Sequence, residues 1–118
     1  MTTHVVSPTA MREFAEVLRD PNPIHLDPEA VRRHGLGERV INQGPANCSY
    51  VVNLLRDTFP HGTITALDFR LLGNVYGGDT VVPGLRVDAR DDTHARCTVW
   101  LDVADGHRVV EGTATVAL

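Results

Sequence analysis

"NQGPANCSYVVNLLRDTF", Asn42 to Phe59, is the stretch on which the fold turns. Gly44 and Pro45 make a natural helix start, because proline suits the first helical turn, where its missing N–H is no loss. Beyond them Cys48, Val51, Val52, Leu55 and Phe59 share one face, and Tyr50 and Leu54 widen it. A helix this apolar on most of its sides is predicted to be largely buried. The rest of a short chain then has to wrap around it.

The second half of the sequence supplies the wrapping. Leu67, Phe69 and Leu71 alternate with Asp68 and Arg70, and Leu85, Val87 and Ala89 with Arg86, Asp88 and Arg90. Ala95, Cys97, Val99, Leu101 and Val103 alternate with Arg96, Thr98, Trp100 and Asp102. Period two is the mark of a half-buried strand. "HRVVEGTATVAL" closes the chain, "VYGGD" and "RDDTH" read as turns, and Asp105-Gly106 reads as a hairpin. "THVV" near the start adds a short edge strand. The prediction is an α+β domain spanning 1–118, one long central helix against a curved antiparallel sheet. The helix has more apolar surface than one small sheet covers, which points to a homodimer.

Composition narrows the function. The chain has 118 residues, 42% of them hydrophobic, with 11 basic and 15 acidic side chains and a net charge of −4. No basic block is present, so neither nucleic acid nor an anionic membrane is an expected partner. Every basic residue is arginine, which excludes Schiff-base lysine chemistry. Cys48 and Cys97 stand alone and read as reduced, apolar-facing thiols. No signal or transit peptide and no long apolar run occurs, so cytoplasm is the expected compartment. The histidines show no H-x-H or H-E-x-x-H spacing, and neither a metal nor a cofactor is expected.

Two short helices precede the central one. Ser7 and Pro8 open "SPTAMREFAEVL", with Met11, Phe14, Ala15 and Leu18 on one face. "DPEAVRRHG" is the second, with Asp27 as its cap, Pro28 at the first helical position and Gly35 as terminator. Between them lies "RDPNPIHLD", Arg19 to Asp27, which Pro21 and Pro23 bar from helix and strand alike. Asp20 and His25 across this rigid segment can converge as a general acid/base pair. The plainer alternative is that Asp20 caps a turn and His25 satisfies a backbone carbonyl. In "VINQGPAN" the free N–H groups at Gly44 favour a developing negative oxygen, or simply start a helix. Arg32, Arg33 and Arg39 form a small basic cluster, either a solvated face or a phosphate contact.

"DPNPIHLDPE", Asp20 to Glu29, resembles the D-x-N-P-[IL]-H signature of the MaoC-like, (R)-specific enoyl-CoA hydratase family. "ERVINQGPANCSYVVNLL" is similar to that family's segment leading into its central helix, and "LDFRLLGNVYGGDTVVPGLRV" to its later strand pair. The resemblance implies a hot-dog fold, usually dimeric. It implies reversible hydration of a 2-enoyl thioester, or dehydration of a 3-hydroxyacyl thioester, carried on coenzyme A or an acyl carrier protein. Asp20 and His25 match the catalytic pair, Asn22 would brace their loop, and the Gly44 N–H matches the donor to the thioester oxygen. The chain departs from the family at Arg19, where glycine is common, at Gln43, where histidine is common, and near Asn74, where a proline is common. Polar Gln43 and Asn47 beside the pocket are expected to bind substrate and point to an oxygenated or short acyl group. A polyketide or other specialised pathway would suit such a group.

Two other functions use the same fold: a hot-dog thioesterase, and a non-catalytic thioester- or small-ligand-binding protein. The first usually places a carboxylate early in the central helix, but Asp57 is the earliest acidic residue here. The second leaves the Asp20/His25 pair without a purpose.

Overall fold

A computed structural model describes residues 3–118. Its elements are β1 (His4–Val5), α1 (Pro8–Leu18), a 3-10 turn (Pro23–His25), α2 (Pro28–Arg33), α3 (Gly44–Thr58), β2 (Thr63–Leu71), β3 (Thr80–Arg90), β4 (His94–Val103) and β5 (Arg108–Ala117). The five strands form one antiparallel sheet in the order β1-β3-β4-β5-β2, curled around α3 in the hot-dog manner. Among the described residues no helix is long and apolar enough to cross a membrane.

Local chemistry sets the helix ends. Ser7 Oγ accepts from the Ala10 N–H at 3.2 Å, and Asp27 Oδ1 from the Glu29 N–H at 2.9 Å. Each takes up one of the donors that a helix start leaves free. Gly35 follows α2 with φ of 68°, a left-handed conformation that suits glycine. Arg32 pairs with Glu29 and Arg39 with Asp79, so two of the three clustered arginines are held in ion pairs.

The core lies between α3 and the sheet. Val51, Leu55 and Phe59 point inward from the helix to meet Ala95, Cys97, Val99 and Leu101 of β4 and Val110, Ala114 and Val116 of β5. The alternation predicted for β4 holds: these inward residues are buried, and Arg96 is exposed between them. The predicted burial of α3 needs correction. Cys48 and Val52 sit half-buried on its flank, and Asn53, Arg56, Asp57 and Thr58 are exposed. The same holds for β2, where Leu67 and Leu71 are 41% and 58% exposed. β2 is an outer strand, so the protomer has only α3 and β5 to set beside it. Leu18, expected on the inward face of α1, is 36% exposed.

Leu55 is fully buried at the middle of this core. Leu55→Ala is expected to cost about 2–5 kcal/mol of stability through lost transfer energy and the cavity left behind. Urea unfolding measures it, and a loss under about 1 kcal/mol would show that α3 does not carry the core.

Candidate active site

The loop after α1 takes its shape from that helix's end. The Asp20 N–H reaches back to the Ala15 carbonyl at 3.0 Å, and the Arg19 N–H to Glu16 at 3.2 Å. This is a Schellman ending, and it puts Arg19 in the left-handed region, φ 51° and ψ 42°. Arg19 is the one non-glycine residue with positive φ among those described. Asp20 Oδ1 then accepts from the Asn22 N–H at 3.2 Å, and Asn22 Oδ1 from the Ile24 N–H at 3.3 Å. Two side-chain caps in succession brace the turn, and Asn22 itself remains exposed.

His25 is fastened to the segment before α3. Its Nδ1 lies 2.6 Å from the Ile41 carbonyl oxygen, and the Ile41 N–H donates to the Ile24 carbonyl at 2.9 Å. A carbonyl oxygen only accepts, so Nδ1 carries the hydrogen. The neutral ring thus keeps its lone pair on Nε2, which faces Asp20 Oδ2 at 3.6 Å. The His25 side chain is 11% exposed and that of Asp20 40%. Both plainer readings of these residues are therefore true: Asp20 caps a turn and His25 meets a carbonyl. These same contacts bring the carboxylate and imidazole together.

His25 walls a cavity of about 400 Å³ with Ile41, Asn42, Gly44, Asn47 and Leu71. Asp20 stands just outside that wall, at a neighbouring depression beside Arg19 and Pro21. Gly44 begins α3, where backbone N–H groups are unspent by the helix. A β-carbon at Gly44 would come within 2.9 Å of Leu71 Cδ1, so glycine keeps this approach open. Asn47 is buried, and its Oδ1 accepts from Asn42 Nδ2 at 2.7 Å. An apolar groove lined by Pro45, Cys48, Val52 and Phe69 adjoins the cavity, sharing Gly44 and Leu71 with it. Burial raises the Cys48 thiol pKa, which keeps it protonated and inert.

Gln43 does not join the site. It is 1% exposed, its Nε2 donates to the Met11 carbonyl at 2.8 Å, and it forms no part of the cavity wall. The backbone at the helix start turns this side chain inward, where it ties α1 to α3. Conversely, Ile41 and Asn42 line the same cavity as His25 and Gly44. A backbone acceptor has no sequence signature. Asn42 had one available, a second asparagine flanking Gly44-Pro45.

The family model "MaoC like domain" matches residues 2–104. The chain belongs to the MaoC-like family. A curated relative, the mitochondrial 3-hydroxyacyl-[acyl-carrier-protein] dehydratase of Arabidopsis thaliana, is 27% identical over 121 residues, covering 98% of this chain and 72% of the relative. The solved (R)-hydratase from A. caviae, involved in PHA biosynthesis, superposes with a TM-score of 0.91 at 27% identity, covering 99% of this chain and 91% of that one. R-hydratase PhaJ1 from Pseudomonas aeruginosa shares the fold with a TM-score of 0.87 at 22% identity, over 98% and 76%. The MaoC-like recognition and the hot-dog expectation are thus borne out, and these relatives are hydratases and a dehydratase.

Arg19 holds a left-handed conformation that glycine adopts without strain. Arg19→Gly is expected to stabilise the protein by roughly 0.5–1 kcal/mol, the relief of left-handed strain less the added freedom of an unfolded glycine. Denaturant midpoints of the two proteins measure this. A fall in stability would show that the Arg19 side chain holds the loop.

Proposed function

We propose that this MaoC-like protein is a hydro-lyase acting on acyl thioesters. It adds water reversibly across the C2–C3 double bond of a 2-enoyl thioester, or removes it from a 3-hydroxyacyl thioester. The observation that carries the reading is the approach of Asp20 to Nε2 of His25, beside the helix start at Gly44. With the imidazole neutral these are two acceptors 3.6 Å apart, and one water donating a hydrogen to each satisfies both.

In the proposed reaction the water oxygen bonds to C3 and gives one proton to the pair. The C2–C3 π electrons move to C1–C2, and charge gathers on the thioester oxygen. The Gly44 N–H, at the positive end of α3, stabilises that charge. The pair then returns a proton to C2, restoring the carbonyl, so that H and OH have added across the double bond. Dehydration is the reverse. No cofactor takes part in this scheme. Coenzyme A and a carrier protein both fit it as the thioester's handle.

Thioesterase chemistry finds less support. The single carboxylate of α3, Asp57, lies exposed in its last turn. We read residues 1–118 as one domain and place it in the cytoplasm, a setting that suits two free thiols.

We also propose a homodimer. β2 is an outer strand with exposed Leu67 and Leu71, and the groove between it and α3 is apolar. A second copy covers both features at once. Sedimentation velocity at micromolar concentration is expected to show a dimer, and a stable monomer would refute this.

Hydration of but-2-enoyl-CoA, followed by loss of the conjugated absorbance, tests the chemistry. Asp20→Asn and His25→Gln are each expected to lower kcat by about 10²–10⁴. The double variant is expected to be little worse than either, because a shuttle missing one station has already stopped. Activity that persists in both single variants would overturn these roles.

A further inference from the structure

Neither the fold nor the water-adding step accounts for Asn42 and Asn47. They are only 6% and 4% exposed. Asn47 occupies the inward face of α3 one turn before Val51 and two before Leu55, where an apolar side chain would serve the core. Burying amides is costly unless their hydrogen bonds are met. These two share one bond, from Asn42 Nδ2 to Asn47 Oδ1. The Asn42 carbonyl and the Asn47 amino group have no side-chain or backbone partner among the described residues. Unlike the Gln43 carbonyl, neither is sealed off from accessible space.

Both residues wall the cavity that holds His25 and Gly44. Helical side chains lean back toward the N-terminus, so the Asn47 amide lies over the first turn of α3, on the Gly44 side. Turning both amides over exchanges which residue offers what. It still leaves one free amino group and one free carbonyl oxygen for a ligand. The group that answers both is a hydroxyl, which accepts from the amino group and donates to the carbonyl. A ketone uses the donor alone, and a methyl group strands both.

Building on the hydratase reading, we infer that Asn42 and Asn47 form a specificity subsite for a hydroxyl group on the acyl chain close to the reacting carbons. The preferred substrate is then a short hydroxylated 2-enoyl thioester, or its dihydroxyacyl hydrate, and plain fatty enoyl groups are poor substrates.

The test compares kcat/KM for but-2-enoyl-CoA and 4-hydroxybut-2-enoyl-CoA. The wild type is expected to favour the hydroxylated substrate by about 10- to 100-fold, since a site built for a hydroxyl rejects the analogue that lacks it. Asn47→Asp keeps the size and the bond from Asn42 but replaces the free donor with an acceptor, and the preference should fall toward one. The apolar double substitution Asn42→Leu with Asn47→Leu should reverse it. A wild type active on both substrates without preference overturns the subsite alone. So do variants that lose both substrates in equal proportion, which would make the pair positioning residues. A wild type inert toward both, on coenzyme A and on a carrier protein, overturns the hydratase reading and the subsite with it.

Discussion

The site hangs on the short backbone segment Val40–Asn42. On one side the Ile41 N–H and carbonyl bond to Ile24 and His25. On the other the Val40 carbonyl accepts from Gly77, the Asn42 N–H donates to Val75, and Ile41 bridges to Tyr76. One extended segment thus stitches the proline-rich loop to the approach of β3 and runs directly into α3. Movement there would shift His25 and Gly44 together. It would not shift Asp20 to the same extent, because Asp20 is held by the end of α1.

The division of surfaces follows from the fold. α3 spends its inward face on the core and its start on the cavity, and its flank is left over. Gly44 and Leu71 stand where polar cavity and apolar groove meet. A ligand lying across that junction would meet donors on one side and hydrocarbon on the other. An acyl thioester, with a polarised carbonyl and an alkyl tail, has that same division.

Much of this was legible in the residues. Ser7, Asp27 and Gly35 set helix ends through chemistry local to a few positions, and β4 shows its inward face in strict alternation. Asp20 and His25 stood out because Pro21 and Pro23 leave so few conformations between them. What was hidden depends on neighbours distant in sequence. Periodicity shows that Cys48, Val52, Leu67 and Leu71 are apolar, but not that the protomer has nothing to set against them. Gln43 looked like a pocket residue because it adjoins Gly44, yet the carbonyl of Met11 on another helix claims it. The acceptor that orients His25 is a main-chain oxygen, which any residue at position 41 would supply.

The central claim is that Ile41 fixes a hydrogen of His25 on Nδ1 and so, in the neutral ring, turns a bare Nε2 toward Asp20. Nitrogen-15 NMR of the histidine rings, read through their long-range proton couplings and assigned with His25→Gln, measures this directly. The account predicts that the neutral His25 ring is the Nδ1–H tautomer, with a pyridine-like Nε2. A neutral ring with its hydrogen on Nε2 would contradict it, because Nδ1 would then have nothing to donate to Ile41 and Nε2 no lone pair to offer a water.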